Sequence, residues 1–288
     1  MRLFGQQIIN GMLIGTLYAM VALGLSMIYG VLRILHVAHA GMYVIGAYLG
    51  LLVYRHTHNY FLSIVIAGVI VGGLGMLVEC LVYRRMFNYS RDVPLIASIG
   101  LFILITDLIR ITAGPEPLPF LMGRAGGFNI GTIRVSNFDL SFIAVSWGII
   151  ALFALFLMKT KMGFAIRAIA QSREVAQMMG INVNAAVQAV FFAGSFIAAA
   201  AGVLVGPFYS YIDPNMGNTF AYKALAIIVI GGFGNMMGTI CGGILLGVVE
   251  VLMVVYTKIP LSQEALAMLF LIVFLLIRPT GLFGAARQ

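Results

Sequence analysis

The sequence predicts an all-α polytopic membrane protein of about eight or nine transmembrane helices, several of them short or broken, with one helical segment held outside the bilayer. Three observations carry this reading. Of 288 residues, 62% are hydrophobic and 9% charged, against roughly 25% charged in a soluble domain, and the mean hydropathy is +1.07. The charged residues fall into a few short linkers, which leaves uncharged runs such as 5–32 and 175–212, long enough for spans of about 20 residues. Glycine contributes 34 residues, a usage that suits helices packed closely in lipid.

Residues 1–288 are read as a single transmembrane domain. The net charge of +8 is spread through the gaps between apolar runs instead of forming one patch, so the bilayer is a partner and nucleic acid is not. Cys80 and Cys241 sit in apolar surroundings without metal-ligand spacing and are read as packing residues.

In chain order, the candidate spans are 6–30, 38–54, 60–83, 93–112, 139–158, 185–207, 219–231, 238–256 and 262–278. The first is read as a retained helix and not a cleaved signal, because its uncharged run already suffices to cross. The second, seventh and last are short, as expected of broken helices that line a cavity or lie buried in protein. The linkers "RRMFNYSRD" at 84–92 and 159–184 are strongly basic, and placing both in the cytoplasm puts the N-terminus outside and the C-terminus inside for nine crossings. If 219–231 is re-entrant, eight crossings result. The linker at about 113–138 is then external, and its prolines and the alternation in "FNIGTIRVSNF" suit a small hairpin or a surface helix.

Small-xxx-small pairs recur at Gly11 and Gly15, Gly68 and Gly72, Gly202 and Gly206, Gly234 and Gly238, and Gly243 and Gly247. Their density predicts a tightly packed bundle. The ionisable residues within or at the edges of spans are His36, His39, Glu79, Asp107, Lys223 and Glu250, and each should face the bundle interior, a cavity or the interface. Glu79 with Arg84 and Asp107 with Arg110 read as interfacial pairs. Glu250 reads equally as an interhelical hydrogen-bond partner or a pathway residue. His36 and His39, three apart, share one face if the segment is helical. Two histidines are too few for a metal site, which leaves structural hydrogen bonding or the lining of a cavity. On polarity or missing bulk, the candidate pathway residues are His36, His39, Ser98, Gly100, Asn235 and Glu250. Neither a nucleophile elbow nor a phosphate loop is recognisable. No catalytic residue, metal site or bound cofactor is therefore expected, and the energy for transport would come from a partner or an ion gradient.

The segment 159–184, "KTKMGFAIRAIAQSREVAQMMGINVN", interrupts the apolar pattern. Ala165, Ile166, Ile169 and Ala170 form an apolar stripe with Arg167 beside it, which suits a helix lying on a surface. Gln171 or Ser172 can start a second short helix with Glu174 in its first turn, Gly180 can end it as the residue just past the C-cap, and Asn182 or Asn184 can cap the following span. A force on that short helix would pass straight into the flanking spans.

Several blocks then match a known pattern: "NGMLIGTLYAMVALGLSMIYGVLRILHVAHAGMYVIGAYLG" at 10–50, "PLIASIG" at 94–100, "IVIGGFGNMMGTICGGILLGVVE" at 228–250 and "IRPTGLFG" at 277–284. In this order they resemble the permease subunits of bacterial ABC importers for branched-chain amino acids, most closely the LivH-like member of the permease pair, and the resemblance spans nearly the whole chain. Glu174-Val175-Ala176 followed by Gly180 resembles the family's E-A-A-x-x-x-G element that docks on the ATPase subunit, with Val175 departing from its Ala. The resemblance implies that 159–184 is a cytoplasmic coupling loop, with Arg173, Glu174, Val175, Ala176, Met179 and Gly180 coupling to the ATPase. It also implies a second, LivM-like permease, two ATP-binding subunits (LivG-like and LivF-like) that hold ATP and Mg, a periplasmic substrate-binding protein, and a place in the bacterial inner membrane. Where the family reads N-F-A-H-G, this chain reads His36-Val37-Ala38-His39-Ala40-Gly41. The substrate expectation is accordingly branched-chain or related amino acids, with urea, amides or organic acids as the alternative within the family, and an ion-coupled secondary transporter outside it.

Overall fold

A computed structural model describes residues 2–87, 89–90, 92–121, 126–130, 133–257, 262–278 and 281–283. The backbone is helical nearly throughout. α1 (Arg2–Leu32) is followed by α2 (His39–Thr57) and α3 (Tyr60–Val78), which continues through a π-helical turn at Glu79–Tyr83 into the single turn α4 (Arg84–Met86). α5 (Asp92–Ala113) and α6 (Asn137–Lys159) follow, then two short helices, α7 (Lys161–Gln171) and α8 (Arg173–Met178). The long α9 (Val183–Tyr209), α10 (Met216–Gly231), α11 (Met236–Thr257) and α12 (Gln263–Ile277) complete the bundle.

Among the described residues, six helices are long and apolar enough to cross a membrane: Phe4–Leu32, Tyr60–Met86, Asp92–Ala113, Asn137–Lys159, Val183–Tyr209 and Met236–Tyr256. The segments expected to be short are short. α10 has 16 residues and α12 has 15, and α2, with 19, is buried along its first two thirds. A helix enclosed by protein need not match the bilayer in length or hydropathy, because its surroundings are other helices and not lipid tails. α1 and α9 are the innermost spans, whereas α5 and α6 bury 22% and 28% of their most apolar windows and leave broad apolar faces outward.

Glycine sets the closest approaches. α1 runs along α11, and a Cβ on Gly247 would lie 2.4 Å from the Gly15 Cα, while one on Gly15 would lie 2.7 Å from the Ile244 Cα. The predicted pairs 11/15 and 243/247 thus face one another across a single interface. Gly68 and Gly72 of α3 instead receive the rings of Phe196 and Phe192 from α9. In both cases the missing side chain is what lets dispersion contacts form where lipid offers helices little other reason to associate.

The linker 113–138 forms a hairpin, with β2 (Gly127–Ile130) paired antiparallel to β3 (Ile133–Ser136). Its residues 122–125 and 131–132 lie outside the described set. Before the hairpin, β1 (Leu118–Pro119) pairs with β4 (Tyr211–Ile212) and drops Phe120, fully buried, against Gly206. Ser136 then starts α6 with a capping box: its Oγ accepts from the Asp139 N–H at 3.1 Å, and Asp139 Oδ2 accepts from the Ser136 N–H at 3.0 Å. These links tie the linker to the bundle end opposite α7 and α8.

Candidate functional site

Two regions of the bundle have features that simple scaffolding does not require. The first is the pair α7–α8. Thr160 ends α6 and caps α7, its Oγ1 accepting from the Gly163 N–H at 2.9 Å. Ser172 ends α7 and caps α8, its Oγ accepting from the Val175 N–H at 3.3 Å. The end of α8 is a Schellman motif: the Ile181 N–H donates to the Ala176 carbonyl at 3.0 Å and the Gly180 N–H to that of Gln177 at 2.9 Å, with Gly180 at φ +79°. This is the left-handed position that only glycine occupies without a steric penalty. Asn182 then caps α9, its Oδ1 accepting from the Ala185 N–H at 3.1 Å. Gln171 and Asn184 do not cap, and Ser172 and Asn182 do.

The predicted apolar stripe of α7 faces inward through Ile166 and Ile169. In α8 the faces divide unevenly. Val175, Met178 and Met179 are 52%, 79% and 78% exposed, whereas Ala176 is 3% exposed. Of the residues read as coupling contacts, Ala176 therefore packs against its own chain and positions the helix, while the unforeseen Met178 belongs to the exposed tip. The Arg173 guanidinium lies over the Phe87 ring, 4.7 Å from its centroid. A cleft of about 430 Å³ separates α8 from the end of α1, with Arg33, Phe87, Arg173 and Glu174 on its walls.

The second region is an inner ion pair below a cavity at the opposite end. Lys223 Nζ of α10 lies 2.8 Å from Glu250 Oε1 of α11 and 2.5 Å from the Tyr18 hydroxyl of α1. The Tyr18 hydroxyl donates in turn to Glu250 Oε1 at 3.2 Å. The side chains of Lys223 and Glu250 are 2% and 3% exposed. Both charges are removed from solvent, so the pairing and the added hydroxyl are needed to offset desolvation. Lys223 also borders a cavity of about 280 Å³ walled by Tyr18, Tyr43, Tyr209 and Phe220, with Asp213 and Glu264 on its lining. Among the described residues, neither the buried hydroxyl of the lining Tyr43 nor Glu250 Oε2 beneath has a hydrogen-bond partner.

The other predicted pathway residues lie elsewhere. His36 and His39 do not share a helical face: His36 sits in the irregular break between α1 and α2, and His39 is the first residue of α2. Arg33, at φ +54°, turns the chain out of α1 ahead of that break. The two rings lie 6.0 Å apart. His36 Nδ1 meets the Tyr83 hydroxyl at 2.5 Å and His39 Nε2 meets the Val21 carbonyl at 3.1 Å. Both border a space of about 10 Å³, no more than one water would fill. Ser98 is buried in the same junction, accepting from the Val37 N–H at 3.2 Å and donating to the Leu95 carbonyl at 2.8 Å. Gly100 faces open space on the outer side of α5. Asn235 caps α11, its Oδ1 accepting from the Gly238 N–H at 2.9 Å.

Both pairs expected at span edges form. Arg84 Nη2 lies 2.8 Å from Glu79 Oε2, and Arg110 Nη1 lies 3.0 Å from Asp107 Oδ1. Lys223 escaped notice as a site residue although it is the one charged residue in 214–249. A lone buried lysine in so apolar a stretch is the signal that points to it.

Known proteins are similar to this chain, some in sequence and one in architecture. A family model described as the permease component of the branched-chain amino acid transport system matches residues 7–278. The high-affinity branched-chain amino acid transport system permease protein LivH of Escherichia coli is 33% identical, over 98% of this chain and 96% of its own length. BraD of Pseudomonas aeruginosa, a permease protein of the same description, is 31% identical over 97% of this chain and 95% of its own length. The related LivM of Escherichia coli is 26% identical over 94% of this chain and 68% of its own length. Among solved structures, a chain of PsaBC from Streptococcus pneumoniae in complex with a Fab superposes with a TM-score of 0.52 at 12% identity, covering 93% of this chain and 89% of that one, and so shares the fold. With the family model spanning nearly the full length and the glycine-packed helical bundle in place, the chain is a multi-pass membrane protein that belongs to the branched-chain amino acid transport system permease family.

Proposed function

We propose that this chain is the non-catalytic permease subunit of an ATP-binding cassette importer in a bacterial inner membrane, and that it translocates branched-chain or related amino acids. The observation that carries the reading is α8: a six-residue helix with an exposed apolar tip at Val175, Met178 and Met179, clamped between α7 and α9 by two caps and a Schellman turn. Exposed apolar groups on a protruding, rigid element are what a protein docking surface presents. In this reading the α8 end faces the cytosol, where the basic linkers belong, and its tip seats in an ATPase subunit.

ATP and Mg reside in two partner ATPases, and this chain supplies no covalent chemistry. Movement of α8 passes into α9 through Gly180–Asn182 and into α6 through α7, and so biases the bundle between outward-open and inward-open arrangements. A homologous second permease covers one of the exposed faces left by α5 and α6, and an extracytoplasmic binding protein delivers the solute to the opposite end. Ser98, His36 and His39 serve as scaffold, holding the α1–α2 junction through buried hydrogen bonds.

Co-expression with candidate ATPase and permease partners tests this directly. Co-purification as one complex, with amino-acid uptake that depends on ATP hydrolysis, is the expected result. Full uptake by the reconstituted single chain, with no ATPase present, would instead indicate an ion-coupled transporter or a channel.

A further inference from the structure

The 280 Å³ cavity combines features that together select one class of solute. An ammonium group carries three N–H donors. Lys223 spends one on Tyr18 and one on Glu250, and it also borders the cavity. Tyr43, also on the lining, carries a buried hydroxyl that has no hydrogen-bond partner among the described residues. Asp213 and Glu264 are carboxylates on the same lining. Asp213 Oδ1 accepts from the Asn215 N–H at 2.6 Å, and Glu264 Oε1 accepts from the Thr219 hydroxyl at 3.1 Å, so both side chains are held in place. Between the charged groups, Val205, Met216 and Phe220 give the wall an apolar portion. The volume is near the lower end of the roughly 300–1,000 Å³ typical of small-molecule sites.

We infer that this cavity is a zwitterion-reading vestibule: the α-carboxylate of an incoming neutral amino acid takes the remaining Lys223 N–H and the Tyr43 hydroxyl, while its α-ammonium faces Asp213 and Glu264. The inference rests on the importer reading above and narrows it. Urea and amides lack the anionic group that Lys223 would receive, and organic acids lack the cation that the two carboxylates would receive. A carboxylate arriving at Lys223 also competes with Glu250 for the same ammonium, so loading of the vestibule is felt directly at the α10–α11 interface.

The test uses the complete importer in proteoliposomes with its binding protein and a radiolabelled mixture of neutral amino acids, reading solute imported per ATP hydrolysed. Tyr43→Phe and Asp213→Asn each remove one polar function without changing shape, and both should keep the wild-type melting temperature. The expected result is a fall of roughly tenfold in import per ATP for each, the scale of one lost hydrogen bond to a charged group. Wild-type import per ATP in both variants would overturn the vestibule while leaving the importer reading intact. Absence of amino-acid import by the wild-type complex would overturn the importer's substrate reading, and this inference with it.

Discussion

The Lys223 ammonium and the Glu250 carboxylate meet at 2.8 Å with both side chains almost fully enclosed, and the Tyr18 hydroxyl bonds to each of them. Three helices, α1, α10 and α11, are thereby joined at one polar point inside an apolar bundle. Such a point favours one register of the helices over others, because any slip leaves a charge without its partner.

Removing one member of that pair should be far worse than removing both. Lys223→Met leaves Glu250 buried beside apolar groups and is expected to destabilise the chain by about 3–5 kcal/mol. The double variant Lys223→Met, Glu250→Leu should recover most of the loss. Thermal unfolding of the detergent-purified single and double variants checks this, and a double variant no more stable than the worse single one would contradict it.

Gly180 occupies the left-handed turn at φ +79° that ends α8, although a Cβ there would meet open space. A substitution is therefore resisted by backbone conformation alone, at about 1–2 kcal/mol for ordinary residues and more for a β-branched one. Gly180→Val should leave the bundle folded but misdirect α8, so that ATP hydrolysis and uptake are uncoupled or the ATPase fails to assemble. Gly180→Asn should be much milder. Coupled uptake at wild-type level in the valine variant would reject the role given to this turn.

At the exposed tip, Met178→Glu or Met179→Glu places a charge on side chains that are 79% and 78% exposed. The isolated chain should unfold at its usual temperature. Co-purification with the ATPase subunits should drop severalfold, since a charge in an apolar docking site is left unpaired. Unchanged recovery of the complex would show that the tip is not the docking surface.

The α1–α11 contact supplies a prediction about folding alone. A side chain on Gly247 would collide with the Gly15 backbone, its Cβ only 2.4 Å from Cα, and the neighbour cannot yield as a flexible side chain could. Gly247→Leu should cost at least about 1–3 kcal/mol through forced separation of the helices, and the yield of monodisperse protein reports it. Gly73→Leu, where an added Cβ meets nothing within 4 Å, is the matched control and should express normally.

His36→Phe keeps a ring in the α1–α2 junction but removes one partner of the Tyr83 hydroxyl, which also bonds Ser98. A loss of about 0.5–1.5 kcal/mol is expected, with import per folded complex unchanged. Loss of import at unchanged melting temperature would assign His36 to the pathway instead.

Much of this architecture can be read from residue order, because the bilayer imposes long apolar runs and punctuates them with charge. The break after α7, the left-handed Gly180 and, to within a choice of two residues each, the caps at Ser172 and Asn182 are legible for the same reason that local turns generally are: each depends on residues within a few positions of one another. The ion pair is different. Lys223 and Glu250 are far apart along the chain, and nothing local to either residue names its partner. The histidines mislead in a related way. A three-residue spacing places two side chains on one face only if the backbone between them is helical, and here Arg33, at φ +54°, turns the chain out of α1, leaving His36 in the break before α2. The inward turn of Ala176 follows from how α8 lies against its neighbours, which its six residues alone do not determine.

The most direct measurement places a cysteine at Glu174 in a Cys80→Ser, Cys241→Ser background and follows its reaction with a membrane-impermeant maleimide in sealed right-side-out and inside-out vesicles. Rapid labelling only in inside-out vesicles, suppressed when the ATPase subunits are bound, is the predicted result. Labelling from the external face, or a rate indifferent to the ATPase, would contradict the claim that α8 is where an ATP-driven partner grips this permease.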